Sequence, residues 1–315
     1  MKVRGAWFAA VIAGLVWFPA ARAHAETIGV FTKSAGNPIA RAVRTGADAV
    51  AKANGVTVFN VPQQTFLVDE ALNAKRDAIV FTPVDVKAMV PAVQKINAAN
   101  IPLVNVSDRL AGGSAVAFIG TDDYSIALNT ARTLLKAMGG RGNVVVLEGP
   151  ETIPTATGRL RGFKDALKEF PDVKVVLSKN AMYARPAASD LLKAMLKANP
   201  SQQIDGVLAA NDAMALGTVE AFKEAKKKLP LIVGINASKE VVELIKSGDV
   251  LASGDYNGLI EGCLGAEIAI RTLRKQPVPK EVMAKTAVVD KSNYQAYEIS
   301  AERRPCPTLE SVAAK

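Results

Sequence analysis

Polar side chains cluster directly after the short apolar runs of this 315-residue sequence, and their types suit the recognition of hydroxyl groups. Carboxylates accept hydrogen bonds, ammonium and guanidinium groups donate them, and asparagine does both. The clusters are Thr32-Lys33-Ser34 with Asn37, Ser107-Asp108-Arg109, Asn211-Asp212, Asn236-Ala237-Ser238 and Asp255-Tyr256-Asn257. Because ligands bind at the carboxyl ends of parallel strands, these positions predict a site for a small hydroxylated ligand.

Some of these side chains could serve the fold instead of a ligand. Three of them stand where helix N-caps are expected: Asn37, Asp212 and Ser238. We expect Asp212 to be a cap. Asn211 precedes that cap and has no evident structural role, so we expect it to contact the ligand.

Asp108 and Arg109 place an acid and a base side by side at the end of an apolar run. They could form a loop ion pair. We favour a joint anchor, in which the planar guanidinium donates to vicinal hydroxyls and the carboxylate accepts from one of them.

The sequence argues against catalysis. Its one histidine, His24, lies in the N-terminal leader described below, so the rest of the chain lacks the commonest general base and metal ligand. Nucleotide-binding glycine loops, Cys/His metal spacings and a G-x-S-x-G elbow are absent from the sequence. Carboxylates and lysines could still do chemistry, but we expect neither an enzyme nor a bound cofactor or metal.

The first 25 residues have the pattern of a secretory signal peptide. Lys2 and Arg4 give a charged start, residues 6–20 are mostly apolar, and A-x-A sites follow at 21–23 and 23–25. We therefore expect a periplasmic protein whose mature chain starts at Glu26. A retained membrane anchor is the alternative, although the apolar stretch is short for a bilayer span.

The charge distribution gives little indication of a nucleic-acid partner. The formal net charge is +9, and the densest basic cluster, Lys226-Lys227-Lys228, reads as the solvated end of a helix. We expect a monomer that binds no nucleic acid. Cys263 and Cys306 are the two cysteines; export would permit a disulfide, and the sequence leaves open whether they pair.

Short β-branched runs alternate with amphipathic helical stretches, which predicts parallel sheets covered by helices. The first series has predicted strands at Thr27 to Phe31, Val56 to Val61, Ala78 to Phe81, Leu103 to Val106 and Val116 to Gly120, with a helix around Asp69 to Ala74 among those between them. The second runs from a helix at Ser125 to a strand ending at Gly254. Its helices include Gly158 to Phe170 and Ala187 to Asn199. A helix from Gly258 to Arg274 and a strand from Thr286 to Val289 follow.

Five sequence runs resemble those of the ribose-binding group of periplasmic solute-binding proteins. They are T-I-G-V-F…G-N-P, I-P-L-V-N-V-S-D-R, G-R-L-R-G-F, A-A-N-D-A-M-A-L-G and V-G-I-N, in the family's order from Thr27 to about Val289. The resemblance implies a type I fold of two Rossmann-like lobes, each a parallel sheet flanked by helices, joined by three crossover strands. Crossings are expected near Thr121-Asp122, Tyr256-Asn257 and Ala284-Lys285.

The expected division follows from those crossings. Residues 1–25 form the signal peptide, residues 26–121 with 257–284 form the N-terminal lobe, and residues 122–256 with 285–315 form the C-terminal lobe and tail. The resemblance also implies that the lobes close over a ligand bound between them.

The family's ligand residues match this sequence at Asn37, Asp108, Arg109 and Asn211, with Tyr183 where an aromatic platform is usual. Other positions of the expected site depart from the family's pattern. Lys33 replaces a small hydroxyl residue, Ile39-Ala40 replace paired phenylalanines, Thr157 replaces an arginine, Asn236 an aspartate and Tyr256 a glutamine. Because one side has lost its aromatic rings, a small polyol, an unusual pentose or a sugar acid becomes a plausible ligand.

The resemblance implies the substrate-binding component of an ABC transporter, which delivers a sugar, polyol or sugar acid to a permease. A role in presenting the sugar to a chemoreceptor is a further expectation. Repressors of the lac type share the two-lobed core, but here a signal peptide stands where their DNA-binding domain would be. A secreted carbohydrate-active enzyme using Asp108 and Asp255 is the other alternative.

Overall fold

The computed structural model describes residues 25–32, 38–61, 69, 72–73, 76–299 and 304–313, which form two α/β lobes. The first sheet consists of β1 (Thr27–Phe31), β2 (Thr57–Val61), β3 (Ala78–Phe81), β4 (Leu103–Val106), β5 (Ala117–Thr121) and β11 (Glu281–Ala284). All its pairings are parallel, in the spatial order β11-β5-β4-β3-β1-β2. Most of the helix predicted around Asp69 to Ala74 lies outside the described residues.

Among the described residues, the first sheet is covered by the helices α1 (Pro38–Ala53), α2 (Val90–Ala98) and α8 (Gly258–Leu273). Strands β3 and β4 are buried on both faces, as expected for apolar strands between two helical layers. Helices α1 and α8 touch at their backbones. A Cβ atom on Gly262 would lie 1.9 Å from the carbonyl oxygen of Val43, and one on Gly46 would lie 2.3 Å from that of Leu259. These glycines therefore let α8 pack against α1.

The second sheet consists of β6 (Arg141–Glu148), β7 (Asp172–Asn180), β8 (Gly206–Ala209), β9 (Leu231–Ile235), β10 (Ala252–Gly254) and β12 (Val288–Asp290). Its order is β12-β10-β9-β8-β6-β7, and only the pairing of β12 with β10 is antiparallel. Its helices are α3 (Asp123–Ala137), α4 (Pro154–Lys168), α5 (Arg185–Ala198), α6 (Asp212–Glu224) and α7 (Lys239–Ser247), followed by a 3₁₀ helix (Tyr294–Tyr297).

The chain passes between the lobes three times. It leaves the first sheet after β5, returns from β10 to α8, and leaves again between β11 and β12. At the first crossing the Asp122 carboxylate caps α3, accepting from the backbone N–H groups of Tyr124 and Ser125. Strand β11 has no counterpart among the predicted strands, because a four-residue, partly exposed edge strand carries a weak apolar pattern. None of the helices in the described ranges is long and apolar enough to span a membrane.

Two helices of the second lobe begin earlier than predicted. Helix α4 starts at Pro154 where the sequence predicted Gly158, and α5 starts at Arg185 where it predicted Ala187. In both helices a proline stands in the first two positions, where its missing N–H needs no partner. The extra turn of α4 brings Thr155 into the region between the lobes.

Residues 306–313 pack on the first lobe, which differs from the expected grouping of residues 285–315 with the second. Cys306 forms a disulfide with Cys263 of α8. Leu309, in the short helix α9 (Leu309–Ala313), is buried in the first-lobe core, and its N–H donates to Glu267 at 3.0 Å. Cys263 and Cys306 thus pair because the segment that contains Cys306 returns to α8.

The disulfide gives a stability prediction. It closes a loop with a sequence separation of 43, and removing such a constraint from the unfolded chain should cost about 2–4 kcal/mol of unfolding free energy. We expect the double variant Cys263→Ala/Cys306→Ala to show this loss in urea unfolding. Dithiothreitol should destabilise the wild type by the same amount and leave the variant unchanged. Equal stability of the wild type with and without reductant would contradict the pairing.

Candidate functional site

The ends of several strands carry backbone conformations that non-glycine residues rarely adopt. Ser107 after β4 has φ +68°, Tyr183 after β7 has φ +57°, and Asn236 and Ala237 after β9 have φ +134° and +46°. Each costs free energy, and residues of this kind concentrate at binding sites, where the surrounding structure holds them. They mark the carboxyl edges of both sheets, where the polar clusters of the sequence also lie.

A hydrogen bond joins the two lobes at this place. The hydroxyl of Thr155 on α4 donates to Oδ1 of Asp108 at 2.7 Å, and Asp108 is 3% exposed. On the first-lobe side, the side-chain amide of Asn105 donates to the Asp108 carbonyl oxygen at 2.9 Å. Asp108 therefore stands where the sequence analysis expected a ligand residue. Thr155 was not among the predicted residues.

A buried ion pair lies beside Asp108. Arg159 Nε donates to Asp123 Oδ1 at 2.8 Å, and Arg159 Nη1 donates to the carbonyl oxygen of Ala210 at 2.7 Å. The arginine side chain is 4% exposed. Burial raises the pKa of Asp123 to about 6, although the Arg159 guanidinium opposes that shift. The pair ties α3 to α4 and to the end of β8.

Two tyrosine rings flank Arg159. Its guanidinium carbon lies 5.7 Å from the Tyr183 ring centroid and 5.0 Å from that of Tyr256, within the range of cation–π contact. Tyr183 packs against Gly149, where a Cβ atom would lie 2.4 Å from the ring. Its hydroxyl is buried without a hydrogen-bond partner among the described residues, and burial raises its pKa to about 12. Tyr183 can therefore offer a hydroxyl group that has no partner among the described residues.

Asn211, and not Asp212, caps α6, so the expected assignment of the cap was wrong. Asn211 Oδ1 accepts from the backbone N–H of Met214, and its Nδ2 donates to the carbonyl oxygen of Tyr183 at 3.0 Å. Asp212 lies inside the first turn and accepts from Ser253 Oγ and from the backbone N–H of Ser238, both at 2.6 Å. Asn211 thus has the structural role that the sequence did not reveal, and it also fixes Tyr183.

Asn236 and Ser238 follow β9 with unused hydrogen-bonding capacity. Asn236 Oδ1 and Ser238 Oγ are both buried and have no partner among the described atoms. Ser238 occupies the N-cap position of α7 but makes no side-chain cap bond, which differs from its predicted role. A buried polar atom without a partner costs free energy, so these two atoms are suited to a bound polar ligand.

Asp255 turns toward its own lobe. Its Oδ2 accepts from the Tyr297 hydroxyl at 3.1 Å, and burial raises the pKa of Asp255 to about 6. Tyr256, the next residue, is 4% exposed and packs in the second-lobe core beneath Arg159. Of this predicted pair, only Tyr256 adjoins the ion pair.

The structure does not bring Arg109 and Thr157 into this group. The Arg109 guanidinium pairs with Glu281 of β11 at 2.5 Å and stacks on Phe118, and more than half of its side chain is exposed. Arg109 therefore lies away from the contact of Asp108 with Thr155 in this structure, and its part in a joint anchor stays a prediction. Thr157 is exposed, and its hydroxyl donates to the Pro154 carbonyl oxygen. It does not point toward Asp108 as Thr155 does, because residues two positions apart on a helix point in different directions. Two further predicted residues, Lys33 and Asn37, lie outside the described residues.

The sequence analysis missed Thr155, Asp123 and Arg159. A signal was present for two of them: Pro154 marks a helix start just before Thr155, and Arg159 belongs to the G-R-L-R-G-F run. Nothing in the sequence distinguishes Asp123 from its neighbour Asp122. Within the described ranges, no cluster of three or more histidine, cysteine or acidic residues could hold a metal ion.

Two lobes whose strand ends present buried polar groups to each other define a two-lobed ligand-binding protein. The family model described as "Periplasmic binding protein domain" matches residues 28–277. The chain belongs to this family, whose members are periplasmic.

Named relatives agree with that membership. The D-apiose import binding protein of Paraburkholderia graminis is 33% identical over 262 residues, covering 80% of this chain and 83% of that protein. The xylitol-binding protein of Mycolicibacterium smegmatis is 30% identical over 254 residues, covering 79% and 72%. A crystal structure of an ABC transporter periplasmic solute-binding protein from Actinobacillus succinogenes with bound D-allose superposes with a TM-score of 0.80 at 29% identity, covering 86% of this chain and 100% of that one.

These comparisons confirm the predicted type I fold of two parallel-sheet lobes and the resemblance to sugar-binding proteins of ABC importers. They also confirm that the chain is a binding protein and not an enzyme, since its relatives bind solutes.

The buried ion pair gives a second prediction. Removing Arg159 leaves the Asp123 carboxylate buried without its partner, so Arg159→Met should lower the free energy of unfolding by about 3–5 kcal/mol. The double variant Arg159→Met/Asp123→Asn should recover part of this loss. Urea unfolding followed by circular dichroism measures both effects.

A matched control exists on the same helices. Arg132 of α3 pairs with Glu169, which follows α4, at 2.6 Å, and both side chains are more than one-third exposed. Arg132→Met should cost only about 0–1 kcal/mol, because exposed ion pairs contribute little. A loss in Arg159→Met no larger than in Arg132→Met would show that the buried pair does not stabilise the lobe.

Proposed function

We propose that this protein is the substrate-binding component of an ABC transporter, and that it binds a sugar or sugar-like polyol between its lobes for delivery to a permease. The observation that carries the proposal is the contact of Asp108 with Thr155 across the lobes, beside buried polar atoms that have no described partner. A ligand between the lobes would meet the Asp108 carboxylate from one side and, from the other, hydroxyl groups, the Asn236 oxygen and the Tyr183 ring.

The described residues around the site suit an uncharged ligand. Asp108 can accept from a hydroxyl, the Tyr183 hydroxyl can donate or accept, and the Asn236 oxygen can accept. Among the described arginines, only Arg159 is buried, and its guanidinium is already paired with Asp123. The relatives named for D-apiose and xylitol support a pentose or a polyol. A sugar acid stays a prediction that depends on Lys33.

Export through a cleaved signal peptide is part of the proposal. The described fold supports a mature start at Glu26, because Glu26 already belongs to the folded lobe. Its carboxylate pairs with Arg274 at 2.8 Å, and its carbonyl oxygen accepts from the N–H of Thr57. The proposed delivery of the ligand to a permease rests on the family to which the chain belongs. The chemoreceptor contact, the monomeric state and the absence of a nucleic-acid partner stay predictions.

Ligand binding can be tested by calorimetry with D-apiose, D-ribose, D-allose, xylitol and D-xylonate. Xylitol and D-xylonate share a carbon skeleton and differ by one carboxylate, so their ratio measures charge selectivity. We expect binding of at least one uncharged compound and weaker binding of D-xylonate. Failure of all the uncharged compounds would contradict the proposed ligand class, and preference for D-xylonate would favour the sugar acid.

The same assay tests the site. Asp108→Ala should lower affinity by about tenfold to 150-fold, since a hydrogen bond to a charged group is worth roughly 1.5–3 kcal/mol. Arg109→Ala is the matched control, because that guanidinium pairs with Glu281 at the surface; its affinity should stay within about threefold of wild type. A large loss of affinity in Arg109→Ala would support the hypothesis that Asp108 and Arg109 form a joint anchor. Wild-type affinity in Asp108→Ala would remove Asp108 from the site.

Closure of the lobes should accompany binding. A ligand that touches both lobes favours the closed arrangement through contacts that the open one lacks. Small-angle scattering should therefore show a smaller radius of gyration with saturating D-apiose or xylitol, whichever binds. An unchanged radius in the presence of a bound compound would contradict closure.

A further inference from the structure

Glu261 of α8 is completely buried, and the contacts described so far leave its carboxyl group without a role. Ser107 Oγ donates to its Oε2 at 2.5 Å, and Thr121 Oγ1 donates to its Oε1 at 3.1 Å. Ser107 directly precedes Asp108, and Thr121 is the last residue of β5 at the first crossing. One carboxyl group therefore connects the proposed ligand anchor to a crossover strand.

The connection holds a strained residue in place. Ser107 has φ +68°, a conformation that a serine adopts only when its surroundings fix it. Two bonds do so: the Glu261 bond to its side chain and the bond from its N–H to the Ile119 carbonyl oxygen at 2.9 Å. Loss of the first would free Ser107 to relax, and Asp108 would turn with it.

Several charged and titratable groups face Glu261. Asp108 approaches from its own lobe and Asp123 from α3, while Tyr256 stands at the second crossing. Among the described cations, Arg159 is bonded to Asp123, and on α1 the guanidinium of Arg44 donates to Thr32. Burial, reinforced by the two aspartates, raises the pKa of Glu261 to about 8, so the group is mostly uncharged at neutral pH.

We propose that Glu261 is a positioning residue for ligand binding: its carboxyl group holds Ser107 and Thr121 so that Asp108 keeps its orientation when the lobes close. This inference rests on the proposed function. Ionisation of Glu261 adds a negative charge beside Asp108 and Asp123, which closure brings together, so alkaline pH opposes binding.

The burial of Glu261 also determines how the free energy of unfolding changes with pH. The pKa of Glu261 in the folded chain lies above the ordinary value of a glutamate, so the folded state binds its proton more tightly than the unfolded state does. Proton binding to Glu261 therefore stabilises the folded state fully at pH values below the ordinary pKa of a glutamate. This stabilisation is lost as pH rises through about 8. A glutamine at this position removes the titration.

Four proteins test the proposal by calorimetry between pH 6.5 and 9.5, each with D-apiose and with xylitol: wild type, Glu261→Gln, Thr121→Val and the control Glu267→Gln. Glu267 lies on the same helix but pairs with Arg271 at 2.6 Å, away from the site. We expect wild-type and Glu267→Gln affinity to fall roughly tenfold across this range, which corresponds to a shift of one pKa unit on closure. Glu261→Gln should bind within about threefold of wild type at pH 7 and lose most of the pH dependence. Thr121→Val should weaken binding by about three- to tenfold, because the carboxyl group loses a donor.

A measurement without ligand separates this inference from the proposed function. Amide hydrogen exchange of the segment 105–109 should accelerate in Glu261→Leu and in Thr121→Val, and should stay unchanged in Glu261→Gln and Glu267→Gln. Exchange that matches wild type in Thr121→Val and in folded Glu261→Leu overturns the positioning role, and so does an equal pH dependence of affinity in wild type and Glu261→Gln. If no compound binds, the proposed function fails, and the exchange result still decides whether Glu261 positions Asp108.

Discussion

The second lobe's side of the cleft depends on the buried ion pair of Arg159 and Asp123. A guanidinium out of water needs a carboxylate and further acceptors, and Arg159 finds them in Asp123 and in the carbonyl oxygen of Ala210. These two bonds fix α4 relative to α3 and to the end of β8. The first turn of α4 then carries Thr155 to Asp108 of the other lobe, and two tyrosine rings pack on the guanidinium.

The first lobe has a counterpart in Glu261. Its helix α8 enters from the second crossing and lies against α1 through Gly46 and Gly262, so the carboxyl group reaches Ser107 and Thr121. Both lobes thus place a buried acid behind the residues that meet at the cleft. Burial is the main reason why both carboxyl groups have raised pKa values, and the negative charge of Asp108 raises both pKa values further. These buried acids are the groups through which, under the proposal for Glu261, pH acts on the cleft.

Local pattern predicted most of the fold and part of the site. Alternating apolar runs and amphipathic helices located most of the strands in both sheets, because burial on two faces leaves a clear signature. The local pattern predicted site residues less well where the direction of a side chain depends on the residue at which its helix begins. Thr157 was expected at the site, but α4 begins at Pro154 and turns Thr155 inward instead. Asn211 was expected to be free of structural duty, although it caps α6.

The sequence by itself determined the two-lobed α/β class, the leader pattern and the presence of Asp108 at the end of a strand, since these depend on short-range periodicity and composition. Tertiary structure decided the pairing of Cys263 with Cys306 and the turn of Arg109 toward Glu281, 172 residues away. Such contacts depend on where the chain returns after each crossing. Local sequence propensities do not predict where the chain returns, because helix packing and the register of β11 beside β5 determine its position.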